Sequence, residues 1–229
     1  MIGYFIESMS LVAMILPLLI ACIAMHIGAG VHSSLILRDL GVPLGLVMAF
    51  VGFYGILQNA SDPSALGPAT GIMLLTLLYG GILASVGYFW RFRSESVANL
   101  TLKTIRIKWW GPSVSILTFL VILGWVIDDA AGLSAFFYPI PFSVSLATAF
   151  VALLISNRKN VLQALSQSFL LSAMINVLIG IIYYYNDEIG PGVAIGLLGI
   201  VYAQIAYICL YFLSFKMGDP KKLDPPLMN

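Results

Sequence analysis

Seven apolar runs alternate with short polar segments along the chain. They cover about Met9–Val31, Leu40–Gln58, Pro68–Trp90, Gly111–Ile127, Pro139–Ser156, Val161–Tyr185 and Pro191–Phe215. A helix needs about 20 mostly apolar residues to cross a bilayer, so each run predicts one membrane helix; the second and fourth are short for a span. The fold class that follows is all-α: a polytopic membrane protein with seven transmembrane helices. The polar turn NASDPSALG ends at Gly67-Pro68, where the third run begins, and proline suits the first turn of a helix because its missing N–H is not needed there. Gly71, Gly80 and Gly81, with Ala84, Ser85 and Gly87, leave the third helix thin enough for another helix to lie close.

Composition sharpens this picture. Of 229 residues, 60% are hydrophobic and 9% charged, which excludes a soluble domain of this length. Cys22 and Cys209 both fall inside apolar runs and indicate neither a disulfide nor a thiol site. The first ten residues, MIGYFIESMS, lack the basic start of a cleaved signal, so the first run is expected to remain as a membrane helix.

The net charge of +1 hides an asymmetry. On seven spans, all eleven Lys and Arg fall on one side, while Glu7, Asp62, Asp128, Asp129, Asp187 and Glu188 fall on the other. The excess of cations on cytoplasmic loops then puts the N-terminus outside, in the periplasm, and the C-terminus in the cytoplasm. Residues 91–110 carry five cations beside Leu100, Ile105, Ile107, Trp109 and Trp110, a composition suited to a cytoplasmic connector lying on the lipid bilayer. No nucleic-acid partner is expected, since basic residues beside a membrane exit set topology and meet lipid. The Pro-rich tail, residues 216–229, is expected to be a cytoplasmic appendage.

The chain also repeats itself. Gly67–Phe89 and Gly190–Phe212 are identical at nine of 23 positions without a gap, at an offset of 123. The shared residues include the opening Gly67-Pro68 and Gly190-Pro191, Tyr79 and Tyr202, and the closing Tyr88-Phe89 and Tyr211-Phe212. Spans one to three then correspond to spans five to seven. A shift of four helices is even, so both copies point the same way and the internal duplication is parallel, unlike the inverted repeats of many carriers. The expected organisation is a first repeat of three helices (residues 1–90), the basic connector (91–110), a second repeat of four helices (111–215), whose first is the extra one, and the tail.

Within the first repeat, LGLVMAFVGFYGILQNASDPSALGPATGIMLLTLLYGGILASVGYF, residues Leu44–Phe89, resembles the last two membrane helices of the flagellar stator A subunit, of the proton-channel family that includes ExbB and TolQ. The asparagine, the Asp-Pro, the Ala-Leu-Gly-Pro-Ala, the Leu-Leu-Thr and the Leu-Tyr-Gly stand in the family's order and close to its spacing. PFSVSLATAFVALLISNRKNVLQA, residues Pro141–Ala164, is similar to the end of that family's second helix, and Ser113–Ile127 then corresponds to its first. The resemblance implies a bacterial inner-membrane subunit that couples ion flow to work. It implies a homo-oligomer around the single membrane helix of a partner, which carries the ion-binding aspartate. The family's large cytoplasmic domain between its second and third helices is missing: only His32–Asp39 and Asn157–Asn160 stand there, so no direct push on a rotor is expected. The family's ion path uses hydroxyl residues, and here the resemblance maps it to Thr76, Leu77 and Ala49, of which only Thr76 keeps a hydroxyl; Gly199 replaces it in the second copy.

Other polar residues bear on the same question. Thr76 reads either as path-lining or as a threonine bonded back to its own helix. Asn176, mid-span with Ser166, Gln167, Ser168 and Ser172 below it, reads either as inter-helix glue or as part of a polar pathway, with Gln204 of the last helix as a candidate partner. No charge lies away from the span ends, so the chain by itself supplies no titratable carrier. His26 and His32, six apart, do not share a helix face; no metal site, cofactor or catalytic constellation is expected, and the chain is not expected to be an enzyme. Three functions stay open: an ion-conducting energy-coupling subunit, a non-conducting scaffold that kept the packing and lost the path, and a small-molecule carrier with its site near Asn176 and Gln204.

Overall fold

The structure is a computed structural model that describes residues 8–59, 66–95, 110–156, 161–185 and 189–216. Seven α-helices account for nearly all of them: α1 Ser8–Ala29, α2 Ser33–Asn59, α3 Leu66–Glu95, α4 Trp110–Ala131, α5 Pro139–Ile155, α6 Val161–Tyr185 and α7 Ile189–Lys216. A 3-10 turn, Leu133–Phe136, leads from α4 into α5. Six of the helices are long and apolar enough to cross a membrane. The seventh, α5, has 17 residues and is about 25 Å long at 1.5 Å per residue, a little short of the hydrocarbon core. The protein is therefore all-helical and of polytopic membrane type, as the run pattern predicts.

The helix ends follow local chemistry. Pro68 and Pro191 each stand third in their helices, inside the first turn, and Pro139 opens α5. Gly30 ends α1 at φ +64, a conformation open to glycine at little cost, and its N–H bonds the His26 carbonyl at 3.1 Å. One boundary differs from the run pattern. The α2 helix starts at Ser33 rather than Leu40, so Arg38 and Asp39, expected in a connection, are helical. Hydropathy alone ends a run at a charge; backbone hydrogen bonding does not. The basic connector is helical through Glu95, and its residues 96–109, like the tail after Lys216, lie outside the described residues.

Successive helices pair as hairpins, α2 with α3 and α6 with α7 most extensively, and α7 also packs on α2, α4 and α5. Helix α4 lies along α1 and α2 and reaches α7. Between lipid-bathed helices the hydrophobic effect is weak, and close van der Waals packing takes its place. Small residues permit it at each crossing. A Cβ on Gly28 would stand 2.7 Å from the Gly111 Cα, and one on Gly80 2.7 Å from the Gly41 carbonyl oxygen. The best-buried side chains, among them Met14, Met25, Ile36, Val47, Leu198 and Phe212, fill the space where α1, α2 and α7 meet.

Candidate functional site

Thr76 sits on the inner face of α3, buried to 3% exposure. Its Oγ1 donates to the Ile72 carbonyl at 2.9 Å, one turn back on its own helix. Its backbone faces α2, where a Cβ on Gly45 would stand 3.4 Å from the Thr76 carbonyl oxygen. Ala49, one turn further along α2, is buried, and Leu77 turns to a half-buried position. Thr76 also borders a half-open cavity of about 160 Å³, lined with Ala13, Met48, Gly52, Trp125 and Asp129. That is room for a few waters, between Thr76 and the acidic end of α4. The sequence supplied both residues of this cavity wall but not their meeting, because Asp129 comes from the extra helix.

The second polar centre lies between α5, α6 and α7. Asn176 is fully buried. Its Nδ2 donates to the Pro141 carbonyl at 3.4 Å, and its Oδ1 has no partner among the described residues. Ser145 Oγ also donates to the Pro141 carbonyl, at 2.8 Å, and stands 3.3 Å from Ser172 Oγ. The Asn176 amide therefore meets α5 rather than Gln204, which is half-buried on α7. Against α7 it meets Gly199 instead: a Cβ there would overlap the Cβ of Asn176 and stand 2.9 Å from its Cγ and Nδ2. Two residues of the serine ladder turn elsewhere: Ser168 bonds the Leu165 carbonyl at 2.8 Å, and Gln167, exposed, borders a groove of about 440 Å³ between α5 and α6, with Thr148, Ser156 and Leu171.

The glycines expected to hold helices together divide. Gly80 does so against Gly41 and Gly45, whereas nothing among the described residues lies within 4 Å of a Cβ built on Gly71 or Gly81. Consecutive helix positions differ by about 100°, so Gly81 turns away from the face that Gly80 presents to α2. Gly67, Pro68 and Gly190 stand in helix first turns, and their packing lies outside the described side chains; Pro191, expected to pack as well, is exposed.

A third polar cluster escaped the sequence reading. The Asp39 carboxylate accepts from Arg38 Nε at 2.5 Å through Oδ1, and from the Tyr211 hydroxyl at 3.0 Å through Oδ2. It joins the start of α2 to the end of α7. Near it His32 bonds Ser34 Oγ at 2.7 Å and meets the Trp90 ring edge-on. An Arg-Asp pair inside an apolar helix start was the available signal, hidden by the assignment of both residues to a loop.

No family model matches the chain, and no solved structure matches it. Curated relatives match part of it. The chain is 41% identical to the chemotaxis protein PomA of Vibrio alginolyticus over 62 residues, 27% of this chain and 24% of that protein. It is 44% identical over 48 residues to motility protein A of Cereibacter sphaeroides, and 45% identical over 49 residues to motility protein A of Aquifex aeolicus (strain VF5), each match covering 21% of this chain and 19% of the relative. The matched part thus spans no more than a quarter of the length of these relatives. The comparisons show that up to about a quarter of this polytopic helical membrane chain is similar to chemotaxis and motility proteins.

Proposed function

We propose that the protein is an inner-membrane subunit of a stator-type, ion-driven energy-coupling assembly, acting as an oligomer around the single membrane helix of a partner. The observation that carries this reading is the identity of 41–45% with proteins named for chemotaxis and motility. The core is two parallel repeats. Support comes from the hairpins: α2 with α3 and α6 with α7 are the two most extensive helix pairs, and glycines bring both together. Asp39 near the start of α2 meets Tyr211 near the end of α7, so α7 runs antiparallel to α2 and parallel to α3, the direction a parallel duplication requires. The orientation is N-terminus periplasmic and C-terminus cytoplasmic, on the sorting of cations.

Thr76 is the path-lining residue of this reading, supported by its place on a cavity wall with Asp129. A second reading, a scaffold without conduction, draws on the hydrogen bond that ties the Thr76 hydroxyl to its own helix and on the apolar Ala49 and Leu77 beside it. Native mass spectrometry of the complex, extracted gently from its membrane, separates the two. Several copies holding a single-span protein with a membrane aspartate fit the coupling subunit; a monomer without a partner refutes it. In the reconstituted assembly, Thr76→Ala is expected to lower ion flux, and unchanged flux removes Thr76 from the path.

A further inference from the structure

The α5–α6 hairpin does not close along its whole length. Toward its connection the two helices leave a groove of about 440 Å³ between them. We propose that this groove binds one anionic phospholipid of the cytoplasmic leaflet, with an acyl chain laid between the helices. The inference stands apart from the coupling reading above and takes from it only the orientation of the chain.

The walls explain what the groove can hold. Thr148, Ala152 and Ser156 border it from α5, and Ala164, Gln167 and Ser168 from α6. The three on α5 are four residues apart and share one helix face. Side chains this small let two membrane helices touch, yet here they line a groove. The wall is apolar in effect, because its inner hydroxyls are spent on their own helices. Thr148 donates to the Val144 and Ser145 carbonyls at 3.1 and 3.0 Å, and Ser168 to the Leu165 carbonyl at 2.8 Å. Two polar groups remain. Ser156, the first residue past α5, has a buried Oγ with no partner among the described residues, whereas buried polar atoms as a rule have one. Gln167 is exposed, about 9 Å along α6 from its first residue.

Size decides between a hydrocarbon chain and a helix. The groove follows α5 from Ala147 to Ser156, about 14 Å, so its 440 Å³ amount to a section of roughly 30 Å². A helix with its side chains is about 10–12 Å across, a section of roughly 80–110 Å², and would ride on the rim. One hydrocarbon chain, held at carbon contacts of about 3.5–4.0 Å, lies inside. Charge decides the headgroup. Helix α5 has 17 residues, so it falls about 5 Å short of the hydrocarbon thickness and brings its end near the lipid esters and phosphates. The next four residues of the chain, 157–160, hold two cations, Arg158 and Lys159, and no acid. Cations at a cytoplasmic membrane exit attract anionic headgroups. A phosphate at this level is an acceptor for the Ser156 hydroxyl, and an ester carbonyl below it is one for the Gln167 amide.

The test titrates the full chain, purified in detergent, with phosphatidylglycerol or with phosphatidylcholine of the same acyl chains, and reads the adducts by native mass spectrometry. One phosphatidylglycerol per chain is expected at concentrations about ten-fold below those needed for phosphatidylcholine, a preference set by the charge on the headgroup. Ala152→Phe fills the groove and should remove the preference; Leu117→Phe, at an exposed position of α4, should keep it. Equal binding of the two lipids, or a preference that survives in folded Ala152→Phe, overturns the proposal. So does a dimer of the chain that forms without lipid and is broken by Ala152→Phe, which would make the groove an interface between copies. If Ala152→Phe does not fold, a phosphatidylglycerol with a photoreactive acyl chain decides on the unaltered protein in symmetric vesicles. Label concentrated on α5 and α6 supports the site, and label spread equally over α3 and α4 overturns it. Detergent and symmetric vesicles offer the lipid to both ends of α5, so an error in the orientation of the chain does not change either result.

Discussion

The fit of Asn176 against Gly199 gives the sharpest test of the packing. A side chain at position 199 has nowhere to go. The Cβ of Gly199→Ala would overlap the Cβ of Asn176 and stand 2.9 Å from its Cγ and Nδ2, where carbon atoms prefer about 3.5–4.0 Å. The obstruction is the stem of Asn176, not the movable end of a long chain, so rotation of the amide does not relieve it. The helices must part, and α6 with α7 is among the most extensive pairs in the molecule. Overpacking of this kind costs about 1–3 kcal/mol. For a protein of this size that corresponds to a fall of roughly 2–12 °C in the unfolding temperature.

The assay is thermal unfolding of the purified protein in one detergent, followed by tryptophan fluorescence. Because the overlap is between two Cβ atoms, rescue has a definite form. Asn176→Gly in the Gly199→Ala background removes the obstructing carbon and should restore most of the lost stability. Asn176→Ala keeps that carbon and should restore little, although it removes the same amide. An unchanged unfolding temperature in Gly199→Ala refutes the contact. Equal rescue by Ala and Gly would mean that the amide, not the stem, sets the distance between the helices.

Two further pairs of substitutions probe the remaining contacts. Gly80→Leu should destabilise the α2–α3 hairpin, since even a Cβ would press on the Gly41 carbonyl and the Gly45 Cα, while Gly81→Leu, with open space before it, should leave the unfolding temperature of the monomer unchanged; equal losses in the same melting assay would contradict the assigned faces. Tyr211→Phe removes a hydrogen bond to a carboxylate, a bond worth about 1.5–3 kcal/mol, and should lower the unfolding temperature in an Asp39 background but not in Asp39→Leu; equal effects in both would show that the hydroxyl does not act through Asp39.

Helix number and most boundaries were legible because membrane spans obey a length rule that hydropathy reads directly. Six helices match their runs within a few residues, and α5 ends one residue from its run. The start of α2 was not legible. Its first turns carry Arg38 and Asp39, and the partner that lets a carboxylate stand there, Tyr211, is 172 residues away. The candidate site was legible as a set of residues and not as a geometry. Thr76, Ala49, Leu77, Asn176 and Gln204 were all visible as polar or displaced positions. That Asn176 turns to Pro141 rather than Gln204 depends on the rotation of α6 about its axis, which a helix polar and small on several faces does not encode. The same limit explains Gly80 and Gly81: adjacent glycines are equivalent in a sequence and about 100° apart in a helix.

The two hairpins solve one packing problem in opposite ways. Where α2 and α3 approach, the polar side chain is on the second helix, Thr76; its carbonyl faces Gly45, and Met48 of α2 lines the same cavity. Where α6 and α7 approach, the polar side chain is on the first helix, Asn176, and Gly199 faces it. Where α6 and α7 cross at this level there is room for one side chain, so Asn176 and a side chain at 199 exclude each other. With Asn176 in place, the packing leaves no room for a hydroxyl at position 199. The chemistry of the two levels still differs. A threonine satisfies its hydroxyl on its own helix, as Thr76 does on Ile72, and adds little polarity to its surroundings. Asn176 instead sends its amide NH2 to α5, and its Oδ1 stays buried with no partner among the described residues, at a cost of about 1–3 kcal/mol. Stability alone gives no reason to keep such a group. In a coupling assembly the unsatisfied mid-span acceptor among the described residues is Asn176 Oδ1, in the second repeat, and loss of flux in Asn176→Leu without loss of folding would mark that repeat, rather than the one holding Thr76, as the half that meets the ion.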